Sequence, residues 1–316
     1  MKSHTLLNTQ IALGLAQVGI ATKKVSLFHN NISETVYKID TQQENLVLKI
    51  FSPSDYDTEQ KEMLLLQRLS RYYHSVITPR HKSPIMIDKN PSYIYRYFQG
   101  KRFSEITIPD KYFTFGTIVA ELDVALKKLY ETSNEKQPKD PFWIPKRKYP
   151  NLRLTHLTSH AIDFFERKIR STDFKKIRSQ YIHKDLHFYN VIYNKSNRSH
   201  LIIDTSGISV QYLPREISVC VGNVLVDSSN RFSKKRVADI MRGYSTSIKL
   251  NEVEKKIIPL FIIQKKLGEI DYLYKQLKLR KENIKIIKKH IYLSQQVLRY
   301  TIDKYDNLVD FFSNIS

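Results

Sequence analysis

The stretch Tyr181 to Asp204, YIHKDLHFYNVIYNKSNRSHLIID, gathers His183, two carboxylates and Asn190 into one short segment. His183, Asp185 and Asn190 read as H-x-D-x-x-x-x-N. These residue types suit phosphoryl transfer, which asks a protein mainly for positioning and charge neutralisation. A carboxylate beside an acceptor hydroxyl orients it and takes its proton, the role open to Asp185. Mg²⁺ prefers hard oxygen ligands and keeps several of its waters. The side chains of Asn190 and Asp204 offer such oxygens. Any one Asp or Asn here would pass for an ordinary polar loop residue. It is the constellation, flanked by strand-like runs, that points to chemistry.

The elements that must position these groups follow from local pattern. Val191-Ile192-Tyr193 and Leu201-Ile202-Ile203 are apolar runs joined by the polar turn Asn194 to Ser199, a hairpin ending at Asp204. Upstream, Val25–Phe28, Thr35–Ile39 and Leu46–Phe51 read as an antiparallel meander, with the polar turn His29 to Glu34 between the first two. Lys49 is a lone cation inside the run LVLKIF. A helix over about 54–73, capped by Ser54 or Asp55, carries Met63, Leu65, Leu66 and Leu69 on one face. Its first half holds Glu59 and Glu62, either of which can pair with Lys49. Ile85–Asp88 and Tyr93–Phe98 add two strands around Lys89-Asn90-Pro91. Residues 1–98 therefore read as a small α+β lobe that begins with a short helix over 5–20.

Gln99-Gly100-Lys101 is the expected hinge, and 99–316 the larger, mainly helical lobe. Helices are expected over 110–132 with Asp110 as cap, 159–179, 233–248, 252–279 behind an Asn251/Glu254 capping box, and 282–312. Residues 133–155 are irregular, basic and aromatic, and include Trp143.

The bulk numbers set limits. A chain of 316 residues with 41% hydrophobic and 26% charged residues is globular in composition, and 8 glycines leave no long flexible linker. No apolar run is long enough to span a membrane, and no cleavable leader is evident. The single cysteine, Cys220, excludes an intramolecular disulfide. With Val219 and Val221 beside it, a buried inert thiol and a reducing cytoplasmic setting are expected. The net charge of +21 raises nucleic-acid binding as a rival function. No zinc-ligand set, helix-turn-helix signature or RNP-like strand accompanies the charge, so that partner is possible but not favoured.

With these residues in view, the chain resembles the aminoglycoside phosphotransferase and choline kinase-like family of small-molecule kinases, whose fold is similar to that of protein kinases. The family pattern, roughly H-G-D-L-H-x-x-N followed by I-D, is met by His183-Lys184-Asp185-Leu186-His187-Phe188-Tyr189-Asn190 and Ile203-Asp204. The resemblance covers nearly the whole chain. It implies a bilobal α+β protein-kinase-like fold, with Asp185 as catalytic base and His183 bracing its loop. It implies Asn190 and Asp204 as Mg²⁺ ligands, and Lys49 on the α- and β-phosphates of ATP, steadied by Glu62 rather than Glu59. It implies the backbone between Tyr95 and Phe98, Tyr97 included, on adenine, and Ser33 with its neighbours over the phosphates. Four departures stand out: no glycine in 29–34, Lys184 in place of Gly, Glu216 in place of Asp, and Asp123 in place of His.

The expected function is thus ATP- and Mg²⁺-dependent phosphorylation of a hydroxyl on a small molecule: an antibiotic, amino acid, amino alcohol or sugar-like acceptor. The alternative is a kinase-like scaffold with weak or no catalysis that binds an anionic partner through its basic surface. A protein kinase is disfavoured, because no APE-type segment follows Asp204. The basic residues Lys146, Arg147 and Lys148, with Lys275, Lys278, Arg280 and Lys281, suit a neutral or carboxylate-bearing acceptor better than a polycationic one.

Overall fold

Period-two alternation decides the two faces of the first sheet. Along Asn45–Phe51, Leu46 and Leu48 are buried and Val47 and Lys49 less so; Phe51, on the same parity as Lys49, is buried too. Leu46 and Leu48 join Tyr37, Ile39, Ile87 and Ile94 in a core closed by Ile11 and Leu15 of the first helix. The opposite face presents Val36, Val47, Lys49 and Tyr95, and register aligns Val36 with Lys49 and Val47 with Tyr95.

The structure is a computed structural model that describes residues 2–30, 34–51, 56–81, 83–135, 155–205, 207–227, 229, 231–279 and 284–315. The chain forms two compact units, Met1–Ile106 with Tyr189–Ser206, and Thr107–Phe188 with Gly207–Ser316.

In the first unit, helix α1 (Lys2–Ala16) leads into strands β1 (Thr22–Asn30), β2 (Glu34–Thr41) and β3 (Asn45–Phe51). Helix α2 (Tyr56–Leu69) and strands β4 (Ile85–Ile87), β5 (Asn90–Arg96) and β6 (Lys101–Arg102) follow. The sheet order is β1-β2-β3-β5-β4. The turn between β4 and β5 is Asp88-Lys89, both at positive φ (48° and 65°). That is the two-residue hairpin turn whose twist matches the strands; Asn90 and Pro91, read from the sequence as turn residues, are instead paired in β5, which starts three residues before the expected Tyr93. Strands β8 (Val191–Asn194) and β9 (Ser199–Ile202) form the expected hairpin, and β6 pairs with β8. The hairpin is anchored behind α2: the Ile202 N–H donates to Ser75 O at 2.7 Å. Helix α2 is shorter than expected, and its expected caps Ser54 and Asp55 lie outside the described residues.

The second unit contains helices α3 (Lys111–Glu131) and α4 (His156–Arg170), strands β7 (Ser179–Ile182) and β10 (Ser209–Tyr212), and helix α5 (Pro214–Gly222). Helices α6 (Lys234–Tyr244), α7 (Glu252–Lys256), α8 (Ile258–Leu279), α9 (Ile284–Asp303) and α10 (Tyr305–Asn314) complete it. Helix α4 ends at Arg170, not near 179: Ser171 caps it, and a 3-10 turn at Phe174–Lys176, capped by Asp173, leads into the strand Ser179–Ile182 that pairs with β10. The two long C-terminal helices expected from the sequence are each broken, at Ile257 and at Lys304. Asp110 stands at the N-cap of α3 but makes no side-chain cap bond. The Asn251/Glu254 capping box is present in both directions. Helices α3 and α6 cross at two glycines. A Cβ at Gly116 would run into the Ile240 carbonyl, and one at Gly243 into the Phe113 carbonyl. The main core joins Phe165 of α4, Phe261 and Leu267 of α8, Leu298 of α9 and Tyr212 of β10. Among the described residues no helix is long and apolar enough to cross a membrane.

Candidate active site

The first unit holds a cavity of about 730 Å³, within the range of small-molecule sites. Phe28, Val36, Val47, Tyr95, Tyr97 and Phe98 line it together with Leu201 and Ile203, and the polar groups Lys49, Glu62, Asn190 and Asp204 also open onto it. The sheet alternation explains Lys49: it lies on the face opposite the α1 core, with its Nζ 4.8 Å from the centroid of Phe51. Glu62 is 9% exposed, and its Oε1 accepts a 2.7 Å bond from the Thr205 hydroxyl. The hairpin brings Asn190 and Asp204 to one end. The Ile203 N–H donates to the Asn190 carbonyl at 3.0 Å, so the two oxygen-bearing side chains flank a direct backbone link. Asp204 then takes φ 58°, a left-handed turn that a short polar side chain tolerates better than most.

Tyr97 is held by a 3.0 Å bond from its N–H to Asn45 O, and its ring meets Phe28 at 6.1 Å. The Tyr95 hydroxyl donates to Met63 Sδ at 3.5 Å, fixing the inner wall. Gly100 is required by close approach: a Cβ there would sit 2.8 Å from the Tyr193 carbonyl. Ser33, and the expected phosphate cover around it, lie outside the described residues, as does the side chain of Glu59. So do residues 136–154, with Trp143, Lys146, Arg147 and Lys148.

The second unit presents the His183–Phe188 loop. It leaves β7 through His183, fully buried, and turns at Lys184 with φ 67°. That left-handed geometry, free to glycine, costs other residues roughly 1–2 kcal/mol. The turn is pinned where the Lys184 N–H donates to Glu216 Oε2 at 2.9 Å. The buried Cys220 thiol donates to Leu186 O at 3.3 Å, and burial pushes its pKa up. Phe188 packs edge-on to Phe115 at 4.5 Å. Between these anchors Asp185 reaches outward with its side chain 46% exposed. Lys265 of α8 donates to its Oδ1 at 2.7 Å, and His187 Nε2 lies 3.7 Å from its Oδ2.

Behind the loop is a buried acidic pair. Glu216 is pushed up to about 7, first by burial, with backbone bonds from Lys184 and His183 opposing the shift. Asp123, fully buried, is raised by burial and by Glu216, while the Tyr244 hydroxyl donates to its Oδ2 at 2.7 Å. Both positions depart from the resembling family, and they are filled by mutually adjusted partners: Asp123 with Tyr244, Glu216 with the loop backbone.

Sequence reading missed Thr205 and Lys265. Thr205 directly follows a proposed metal ligand, so its position was a usable signal. Lys265 lies 80 residues beyond Asp185, and nothing local marks it.

No protein-family model and no curated protein matches the sequence. Solved structures do match in fold. Spectinomycin phosphotransferase in complex with ADP and spectinomycin is 15% identical with TM-score 0.63, over 97% of this chain and 98% of that one. Amicoumacin kinase with AMP-PNP and Ca²⁺ is 17% identical with TM-score 0.66, over 95% and 96%. A GDP complex of aminoglycoside 2′-phosphotransferase IIIa is 13% identical with TM-score 0.69, over 96% and 99%. From a β-rich N-terminal sheet to helical C-terminal elements, this chain has the protein-kinase-like fold of the aminoglycoside phosphotransferases and amicoumacin kinase.

Proposed function

We propose that the protein is a phosphotransferase that moves the terminal phosphate of ATP to a hydroxyl group of a small molecule. The observation that carries the reading is the first-unit cavity, where an apolar slot and a set of phosphate- and metal-suited groups share one enclosure. In this reading the adenine lies between Phe28, Tyr97 and the backbone from Tyr95 to Phe98. Lys49 takes the α- and β-phosphates, and Glu62, held by Thr205, steadies it. Solved structures of the same fold with ADP, AMP-PNP and GDP support a nucleotide in such a cavity.

Asn190 and Asp204 fit Mg²⁺: two hard oxygens suit a cation that arrives with phosphate and water. Among the described residues no group of three or more His, Cys, Asp and Glu lies together. When bound, Mg²⁺ neutralises charge on the transferring phosphate. Asp185 orients the acceptor hydroxyl and takes its proton, while His183 braces the loop from its buried position. The hydroxyl oxygen bonds to phosphorus and ADP leaves. Because ATP is the donor, the reaction belongs in the cytoplasm. The functional division into a nucleotide-clamp lobe (1–98) and a lobe (99–316) with the catalytic loop, metal ligands and acceptor-binding helices is part of the same proposal, although residues up to Ile106 and the hairpin Tyr189–Ser206, which carries Asn190 and Asp204, belong to the first compact unit.

The test is ADP release over a panel of hydroxyl compounds with and without Mg²⁺. Acceptor-dependent, Mg²⁺-dependent release is expected, reduced about 10²-fold or more in Asp185→Ala. Equal rates for the wild type and Asp185→Ala would overturn the proposal. A salt-sensitive nucleic-acid complex without turnover would favour the scaffold reading.

A further inference from the structure

The groups gathered around Asp185 in the second unit are mainly cationic. Lys265 touches its carboxylate at 2.7 Å. Lys184 precedes it in the chain, and its ammonium pKa is lowered first by burial and then by Arg215 and Lys265, with Glu216 acting in the opposite sense. His187 faces the other carboxylate oxygen. The acidic groups nearby are already committed. Glu216 is wholly buried and accepts the Lys184 N–H. Glu269 accepts from Lys266 at 2.7 Å and from Ser294 at 2.9 Å. Lys265 and Lys266 are consecutive on α8 and so point to different sides of the helix. Lys266 is neutralised by Glu269, and Lys265 is directed to Asp185.

Three cations held close together repel one another, and partial burial strengthens the repulsion. An anion placed among them relieves that repulsion, whereas a polycationic molecule would add to it. Arg215, in the first turn of α5, is held from strand β10, donating to Gln211 Oε1 at 3.0 Å.

We propose that the acceptor carries an anionic group, a carboxylate being the simplest, which binds Lys265 with Lys184 and Arg215 and so delivers its hydroxyl to Asp185. This rests on the phosphotransferase reading. The anionic group draws the Lys265 ammonium from Asp185 Oδ1. The freed oxygen accepts the hydroxyl proton as the acceptor oxygen bonds to phosphorus and ADP departs. Lys265 is then a residue that sets acceptor specificity, and the choice is made locally, independently of the spread of positive charge over the chain.

The experiment uses acceptors of one carbon skeleton that differ at a single terminal group, anionic, neutral or cationic: gluconate, gluconamide and glucamine, and 3-hydroxybutyrate, its amide and 4-amino-2-butanol. Each is offered to the nucleotide-saturated full-length protein. Affinity is read by ligand-observed NMR and transfer by ADP release, so the charge preference is measured even for a compound that binds without reacting. The anionic member is expected to bind or react at least about tenfold better than the neutral one. That preference should vanish in Lys265→Met and reverse in Lys265→Glu, with nucleotide Kd as the check on folding. A preference for the cationic members, no preference at all, or a preference unchanged in both variants would overturn the proposal. Failure of the phosphotransferase reading looks different: wild-type protein that does not bind ATP.

Discussion

The Thr205 hydroxyl donates a 2.7 Å hydrogen bond to the buried Glu62 carboxylate. One bond thereby ties the middle of helix α2 to the residue that follows Asp204, across 143 positions of sequence. Both groups line the first-unit cavity, so the helix that carries Glu62 and the hairpin end that carries Asp204 are set relative to each other by it.

Thr205→Val keeps the shape and removes this donor from a buried carboxylate, at a cost of about 1–3 kcal/mol. Urea unfolding should show a lower midpoint for Thr205→Val and near wild-type behaviour for Thr205→Ser. Nucleotide affinity should fall about tenfold in the valine variant. Unchanged affinity would mean that Glu62 does not depend on Thr205 for its position.

The Glu216 carboxyl gives a pH signature. Burial raises its pKa to about 7, against roughly 4.3 for an unfolded glutamate. Between those values the folded state holds the proton that the unfolded state has lost, so stability falls as pH rises from about 4.5 to 7 and then levels off. The fall attributable to this group is on the order of 3 kcal/mol. Asp123, also raised by burial and by Glu216, contributes with the same sign. Glu216→Gln keeps an oxygen for the Lys184 N–H and should flatten the curve. Denaturant titrations at pH 5, 6, 7 and 8 measure it, and an unaltered slope in the variant would assign the effect elsewhere.

Helices α3 and α6 approach through Gly116 and Gly243, where an added Cβ meets a backbone carbonyl. A carbonyl cannot rotate away as a side-chain tip can. Gly243→Ala should therefore cost about 1–3 kcal/mol or more, although alanine is the better helix former. The readout is the thermal midpoint by circular dichroism. A rise in midpoint would show that the helices part without cost.

Much of the fold was legible where information is local. The run LVLKIF marked a strand with Lys49 as its lone cation, and the two apolar runs around Asn194–Ser199 marked the hairpin that ends at Asp204. Boundaries failed where local breaks decide: the helix expected over 159–179 runs from His156 to Arg170, and a short 3-10 turn at Phe174–Lys176 separates it from the strand Ser179–Ile182 that pairs with Ser209–Tyr212. Lys265 was invisible for a different reason. It is one of many lysines on a basic helix, and only the fold brings it to Asp185. Asp123 and Glu216 looked like isolated departures in sequence, and their burial side by side could not be read from either one alone.

The most direct measurement is a calorimetric titration of ATP into the protein with and without Mg²⁺, repeated with Lys49→Met and Asp204→Asn. Saturable one-site binding to the wild type is expected, strengthened by Mg²⁺. Lys49→Met should weaken it about tenfold or more, through loss of a charge-assisted contact. Asp204→Asn should abolish the Mg²⁺ enhancement while leaving metal-free binding nearly unchanged. Absence of ATP binding, or binding that ignores both substitutions and simply fades with added salt, would contradict the assignment of this cavity to the nucleotide.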